Sequence, residues 1–261
     1  MSEKFINCHL EDAVLHIELN RPDKLNSFIE PMAKQLQEEF DEAASNNNVR
    51  CVLLTGNGKA FCAGQDLPEV VDKGDDYELG NTVRSSYNPI IKAIRNLEKP
   101  VVCAVNGTAA GAGANLAFAC DIVLASREAF FIQSFSKIGL IPDSGGTFLL
   151  PRLVGLQRAN ALYLLDEKVT AEKAEEIGLI YKAVDPEDLL DKAHDICQKL
   201  SSMPTKGFGL YKKAINQSLT NNLEEQLELE AELQTEAGDT HDYQEGVQAF
   251  LEKRKPTFEG R

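Results

Sequence analysis

Three short stretches hold the residue types that could do chemistry. The first, residues 108–114 (TAAGAGA), is almost free of side chains and follows an apolar run, residues 101–105, closed by Asn106-Gly107. Small residues between a strand's end and a helical pattern (Leu116, Ala117, Ala119) let another molecule approach the backbone. They also leave amide N–H groups free at a helix N-terminus, where developing negative charge is stabilised. The second stretch, residues 59–67 (KAFCAGQDL), repeats that logic after an apolar run at 49–55 and the turn Gly56-Asn57-Gly58. The third, GLIPDSGGTFLLPR, places one carboxylate, Asp143, ahead of a glycine pair.

Three chemistries compete for these stretches. A dinucleotide fingerprint would use Gly111 and Gly113, but Leu116 stands where its third glycine belongs and no P-loop lysine follows. A serine nucleophile at Ser144 needs a histidine base, and His9, His16, His194 and His241 lie in none of these loops. Cys62 as a nucleophile lacks a nearby histidine in the same way. The third reading is an oxyanion hole of two backbone amides, one from each strand–glycine unit, with Asp143 as its carboxylate, against glycines that serve only tight packing. Asp143 has a second reading as the N-cap of a helix opening near Gly145.

The elements that position these loops follow from periodicity. Alternation of Leu15, Ile17 and Leu19 with His16 and Glu18 predicts a hairpin over 5–20, turning at Glu11-Asp12, with His16 on its exposed face. Ser27 and Glu30 match a capping box opening a helix along Met32, Leu36 and Phe40 that ends at Asn46-Asn47-Asn48. Residues 68–82 read as an acidic, irregular loop, followed by a helix through Val83, Tyr87, Ile90, Ile94 and Leu97. Strands are expected at 121–125, 129–133 and 180–184, and helices at 145–154, 157–165 and after Thr170 up to Gly178. Beyond Asp185 the pattern is helical throughout, over 187–202, 205–219, 222–237 and 240–254. Two strand–glycine units imply parallel strands that deliver their loops to one side of a sheet. The leucines of 223–233 stand among glutamates, as a solvated acidic face or as a subunit contact.

The chain of 261 residues carries 43% apolar and 26% charged residues and a net charge of −14, which excludes nucleic acid or an anionic membrane as main partner. No apolar run reaches bilayer length and the N-terminus has no signal pattern, so a cytoplasmic location is expected. The six cysteines lack zinc spacing and read as reduced, buried side chains.

AFCAGQDL, AVNGTAAGAGANLAFACDIVLAS, GLIPDSGGTFLLPRLVG, TAEKAEEIGLI and EGVQAFLEKRKPTF, in this order, together resemble the crotonase family of enoyl-CoA hydratases and isomerases. The resemblance spans Phe5 to Phe258 and implies an α/β fold: a spiral of ββα repeats over 1–200 and a helical oligomerisation region over 201–261. It implies a homotrimer or dimer of trimers, an acyl-CoA substrate and no other cofactor or metal, coenzyme A being part of the substrate. The matched oxyanion amides are those of Gln65 and Ala112. The hydratases' two catalytic glutamates fall on Asn115 and Phe135, while Asp143 stands where hydratases have glycine and an isomerase of the family has aspartate. The implied reaction is therefore double-bond migration or epoxide-to-oxepin rearrangement with Asp143 as acid–base, against the alternatives of hydration or a non-catalytic CoA-binding scaffold. Phe135, Leu140 and Ile141, with Phe148, are expected to desolvate Asp143, and Asn115 to share the acyl pocket. Lys24, Ala63, Asp66 and Lys253 are the expected contacts to coenzyme A, the tail often coming from a neighbouring subunit.

Overall fold

The computed structural model describes residues 3–72 and 77–261. Among these, the central sheet has six strands in the order β1 (Ile6–Glu11), β2 (Val14–Leu19), β3 (Cys51–Gly56), β5 (Val101–Val105), β7 (Ile122–Ser126), β10 (Lys182–Val184). Only β1 runs antiparallel; β2, β3, β5, β7 and β10 are mutually parallel. A smaller second sheet orders β4 (Ala60–Cys62), β6 (Thr108–Ala110), β8 (Phe130–Ile132) and β9 (Val169–Thr170). Each of β3, β5 and β7 thus continues, through a turn, into a short strand of the second sheet.

Helices fill the remainder: α1 (Glu30–Ser45), α2 (Leu67–Asp72), α3 (Leu79–Thr82), α4 (Asn88–Asn96), α5 (Ala112–Ala119) and α6 (Gly146–Val154). They continue as α7 (Leu156–Leu164), α8 (Ala171–Glu176), α9 (Leu189–Ser201), α10 (Thr205–Ser218), α11 (Leu223–Gly238) and α12 (His241–Glu252). One π-helical turn, Val83–Tyr87, joins α3 to α4. The main core lies between the sheets and α1, α4 and α5, where Phe28, Phe40, Phe61, Met32 and Ile94 are sealed from solvent. A second cluster packs α9, through Leu189, Ala193 and Cys197, on the other face of the central sheet. No helix of the described residues is long and apolar enough to cross a membrane.

Several local expectations change. The hairpin turns at Asp12-Ala13, both with positive φ, the two-residue geometry that matches strand twist. His16 is half-buried rather than exposed, because α9 covers that face and sets His194 against it. Ser27 does not cap α1: the Glu30 amide donates to the Glu69 carboxylate from α2, and the Ser27 hydroxyl turns toward Asp66. The stretch expected to be irregular forms α2 and α3 on either side of residues 73–76, which lie outside the described residues.

Candidate active site

The loops that follow β4 and β6 are brought together by the second sheet. Parallel pairing of Ala60 with Thr108 and of Cys62 with Ala109 sets the two chain segments in step. Gly64 then takes a φ of +89°, and a Cβ there would lie 2.9 Å from the Ala110 carbonyl oxygen and 3.7 Å from the Ala112 nitrogen. Any side chain at 64 would push the two loops apart. Gly111 enters α5 at φ 52°, ψ −123°, a conformation open only to glycine, and its amide donates to the Ile132 carbonyl. Neither the Gln65 amide nor the Ala112 amide has an acceptor among the described residues. The Ala112 amide heads α5, whose first hydrogen bond within the helix is made by Asn115 N–H to the Gly111 carbonyl. Two unused donors a short distance apart can hold one oxygen that gains negative charge.

The Gln65 loop is fixed from a third side by the segment before α1. Phe28 N–H donates to the Gly64 carbonyl at 2.7 Å, Asp66 N–H to the Phe28 carbonyl at 2.9 Å, and Ala63 N–H to the Leu25 carbonyl at 3.0 Å. Fully buried Asn26 donates to the Asn57 and Ala60 carbonyls. Lys24 is exposed on this segment, one residue from the Leu25 that binds Ala63. The Asp66 carboxylate is already engaged, with the Arg21 guanidinium 3.0 Å away.

Asp143 sits ahead of α6, partly covered, and burial pushes its carboxyl from an ordinary 3.8 up to about 6. The carboxylate caps no amide of α6; Gly146 N–H is taken by the Asp143 backbone carbonyl instead. Its side chain accepts from the buried Ser144 hydroxyl at 2.9 Å. Beneath it, fully buried Asn115 donates to the Asp143 carbonyl at 2.9 Å and accepts from Gln133 at 3.1 Å. Asn115 therefore holds the loop from below and does not stand on a pocket wall.

Phe135 is buried, its ring within 3.6 Å of where a Gly111 Cβ would be. Leu140 is 36% exposed and Ile141 75%, and Phe148 is partly exposed with the Arg152 guanidinium over its ring. Ile91 of α4 and Leu149 of α6 flank Gly145, two residues after Asp143. Lys253 lies away from these loops within one chain. The residues after it are anchored where the Phe258 carbonyl accepts from Arg50, at the opposite end of β3 from Gly56.

Sequence reasoning missed Tyr87. Its hydroxyl donates to the Gln65 side-chain carbonyl, its ring packs edge-on against Phe28, and its electrostatic neighbours include Asp143. Burial raises its phenol far above the usual range. Helical periodicity marks Tyr87 only as a core position, and nothing in the pattern signals the π-turn that points it at Gln65. Cys62 is buried with its thiol pushed up to about 12, which removes it as a nucleophile.

A family model described as enoyl-CoA hydratase/isomerase matches residues 9–261. The chain belongs to the enoyl-CoA hydratase/isomerase family. It is 50% identical to the 1,2-epoxyphenylacetyl-CoA isomerase of Escherichia coli K12, with 99% of each chain covered. It is 43% identical to a protein of Rhodobacter capsulatus named probable enoyl-CoA hydratase, over the whole of both. The crystal structure of an enoyl-CoA hydratase from Bacillus anthracis superposes with a TM-score of 0.94 at 33% identity, covering 99% of this chain and all of that one. The crotonase fold and membership of an enzyme family acting on CoA thioesters follow.

Proposed function

We propose that this family member is a CoA-thioester isomerase with a single acid–base group, Asp143. The amides of Gln65 and Ala112 hold the thioester oxygen. Asp143 as carboxylate removes a proton from the carbon next to the carbonyl, and the electron pair moves onto that oxygen. In a 3-enoyl-CoA the resulting dienolate is reprotonated at C4 by the acid form of Asp143, which shifts the double bond and regenerates the base. The identity to an epoxyphenylacetyl-CoA isomerase favours an aryl epoxide, rearranged to its oxepin, as the natural substrate. The observation that carries the reading is the half-buried Asp143 carboxyl, raised to about 6, in a site where the resemblance puts a hydratase glutamate at Asn115, a neutral amide tied to the Asp143 carbonyl and to Gln133.

In this reading the coenzyme A moiety lies along Lys24, Ala63 and Asp66, Lys253 comes from a neighbouring chain in a homotrimer or dimer of trimers, and the enzyme works in the cytoplasm. The region 1–200 holds the substrate and 201–261 serves assembly. Incubating the protein with 3-enoyl-CoA in D₂O, beside Asp143→Asn, tests the chemistry by NMR. Deuterium uptake with double-bond migration, lost in the variant, supports it and leads to 1,2-epoxyphenylacetyl-CoA as the next substrate. Hydration of 2-enoyl-CoA without migration would favour a hydratase. Tight acyl-CoA binding with no turnover of either ester or of the epoxide would favour a scaffold.

A further inference from the structure

Three of the chain's four histidines meet far from the loops described above. His9 of β1 lies directly opposite His16 of β2 in the antiparallel register, and Glu11, two residues beyond His9, shares its face of the strand. The His9 and His16 rings stack at 4.4 Å, and His194 of α9 leans over them with its ring 5.4 Å from that of His16. One ligand atom each of His9, Glu11 and His16 falls within 4.8 Å of the others. The Nε2 of His16 is buried and has no hydrogen-bond partner. The side chains of His9 and Glu11 are exposed and make no hydrogen bond or ion pair among the described residues, so only ring stacking on His16 holds His9 in place.

We propose that His9, Glu11 and His16 form a binding site for a late first-row divalent transition ion such as zinc, on the outer face of the β1–β2 hairpin. Two imidazoles and a carboxylate are a ligand set that zinc, nickel and copper(II) accept and that magnesium and calcium do not prefer. Around an ion with ligands about 2.1 Å away, tetrahedral ligand atoms lie roughly 3.4 Å apart, and rotation of the exposed His9 and Glu11 side chains closes the gap. His194 completes the histidine wall against which the ion would sit. The bound ion would clamp the edge hairpin. This inference is independent of the reaction at Asp143.

Calorimetric titration of the tag-free full chain with zinc chloride tests it. One ion per chain is expected. His9→Ala and Glu11→Gln change exposed side chains, and affinity should fall by more than about tenfold in each, the smallest loss seen when even an outer partner of a metal is removed. The ring protons of His9 and His16 should shift on zinc addition while those of His241 stay in place, and Asp143→Asn should bind zinc as the wild type does. Absence of binding at millimolar zinc would overturn the site. So would an affinity unchanged by both variants, which would place the ion on other surface carboxylates.

Discussion

Asp143 should govern both rate and stability, in opposite directions. Only the carboxylate can take a proton, so turnover of a CoA ester should rise with pH through a single ionisation near 6. Asp143→Asn should remove turnover while leaving CoA-ester affinity within a few-fold, checked by single-turnover kinetics and calorimetry. For stability the sign reverses. The folded pKa is about 6 against 3.8 for an ordinary aspartate, so between those values the native chain keeps a proton that the unfolded chain has released. Stability therefore falls as pH rises through that window and stays lower above it. Asn at 143 has no charge to desolvate, so the variant should be the more stable protein at pH ~8, by about 1–3 kcal/mol, with the gain gone at pH ~3.5. Urea unfolding at the two pH values measures it; equal stability at both would mean the carboxyl is solvated. Asp143 stands out in the sequence chiefly through the family resemblance, since an acid before a glycine pair also reads as a helix cap. Its supports do not: Tyr87 reads as core, and Gln133 as part of a strand.

At the scale of elements, the long strands and helices follow from periodicity, whereas the pieces that form the site do not. The strands β4 and β6 are three residues each, too short to show alternation, and exist through their pairing, β4 with β6 and β6 also with β8. The helix α2 is hidden in an acidic run and identified only by its contacts, with the Glu69 carboxylate accepting from the Glu30 backbone N–H at the start of α1 and from the Gln65 side-chain Nε2 at 3.0 Å. The capping box at Ser27 matched in letters and failed because Glu69 supplies a stronger, charged acceptor from outside. The glycine loops were legible as turns, since glycine and small residues break the strand pattern, while the role of their amides was not decided by composition. Gly111→Ala tests what the loop conformation contributes. At φ 52°, ψ −123° a Cβ is strained by about 1–3 kcal/mol, and relief of that strain would turn the Ala112 amide away. Turnover should drop by roughly 10²–10³-fold, the effect of losing one oxyanion donor, with a smaller loss of thermal stability. A variant with normal turnover would show that the Ala112 amide does not hold the developing charge.

For the whole molecule, the helical end must be attached to the sheet body and kept from solvent. One attachment is Lys212 of α10, buried and 2.7 Å from Asp121, which also accepts from the Val101 amide at the start of β5. Lys212→Ala would leave that solvent-accessible carboxylate with a more distant Arg95 and should cost about 1–3 kcal/mol in denaturant unfolding, the worth of a charged hydrogen bond. The outer faces raise the other question. Phe250 of α12 is 82% exposed, with Leu251 beside it and Leu164 and Leu165 exposed at the end of α7. The homotrimer or dimer of trimers proposed above would cover side chains of this size in a contact between chains. With a net charge of −14, the chain also repels the phosphates of coenzyme A unless lysines from somewhere converge on them. Both facts are met together if association brings one chain's Lys253 to another chain's Lys24. Phe250→Asp should then shift the mass in sedimentation from the oligomer to the single chain and raise KM for the CoA ester with kcat largely kept. Lys253→Gln should raise KM to a similar degree without dissociating the oligomer, and the two changes combined should add little. If Phe250→Asp gives a monomer with unchanged KM, the cations that hold the phosphates lie within one chain, and Lys24 is the residue to change next.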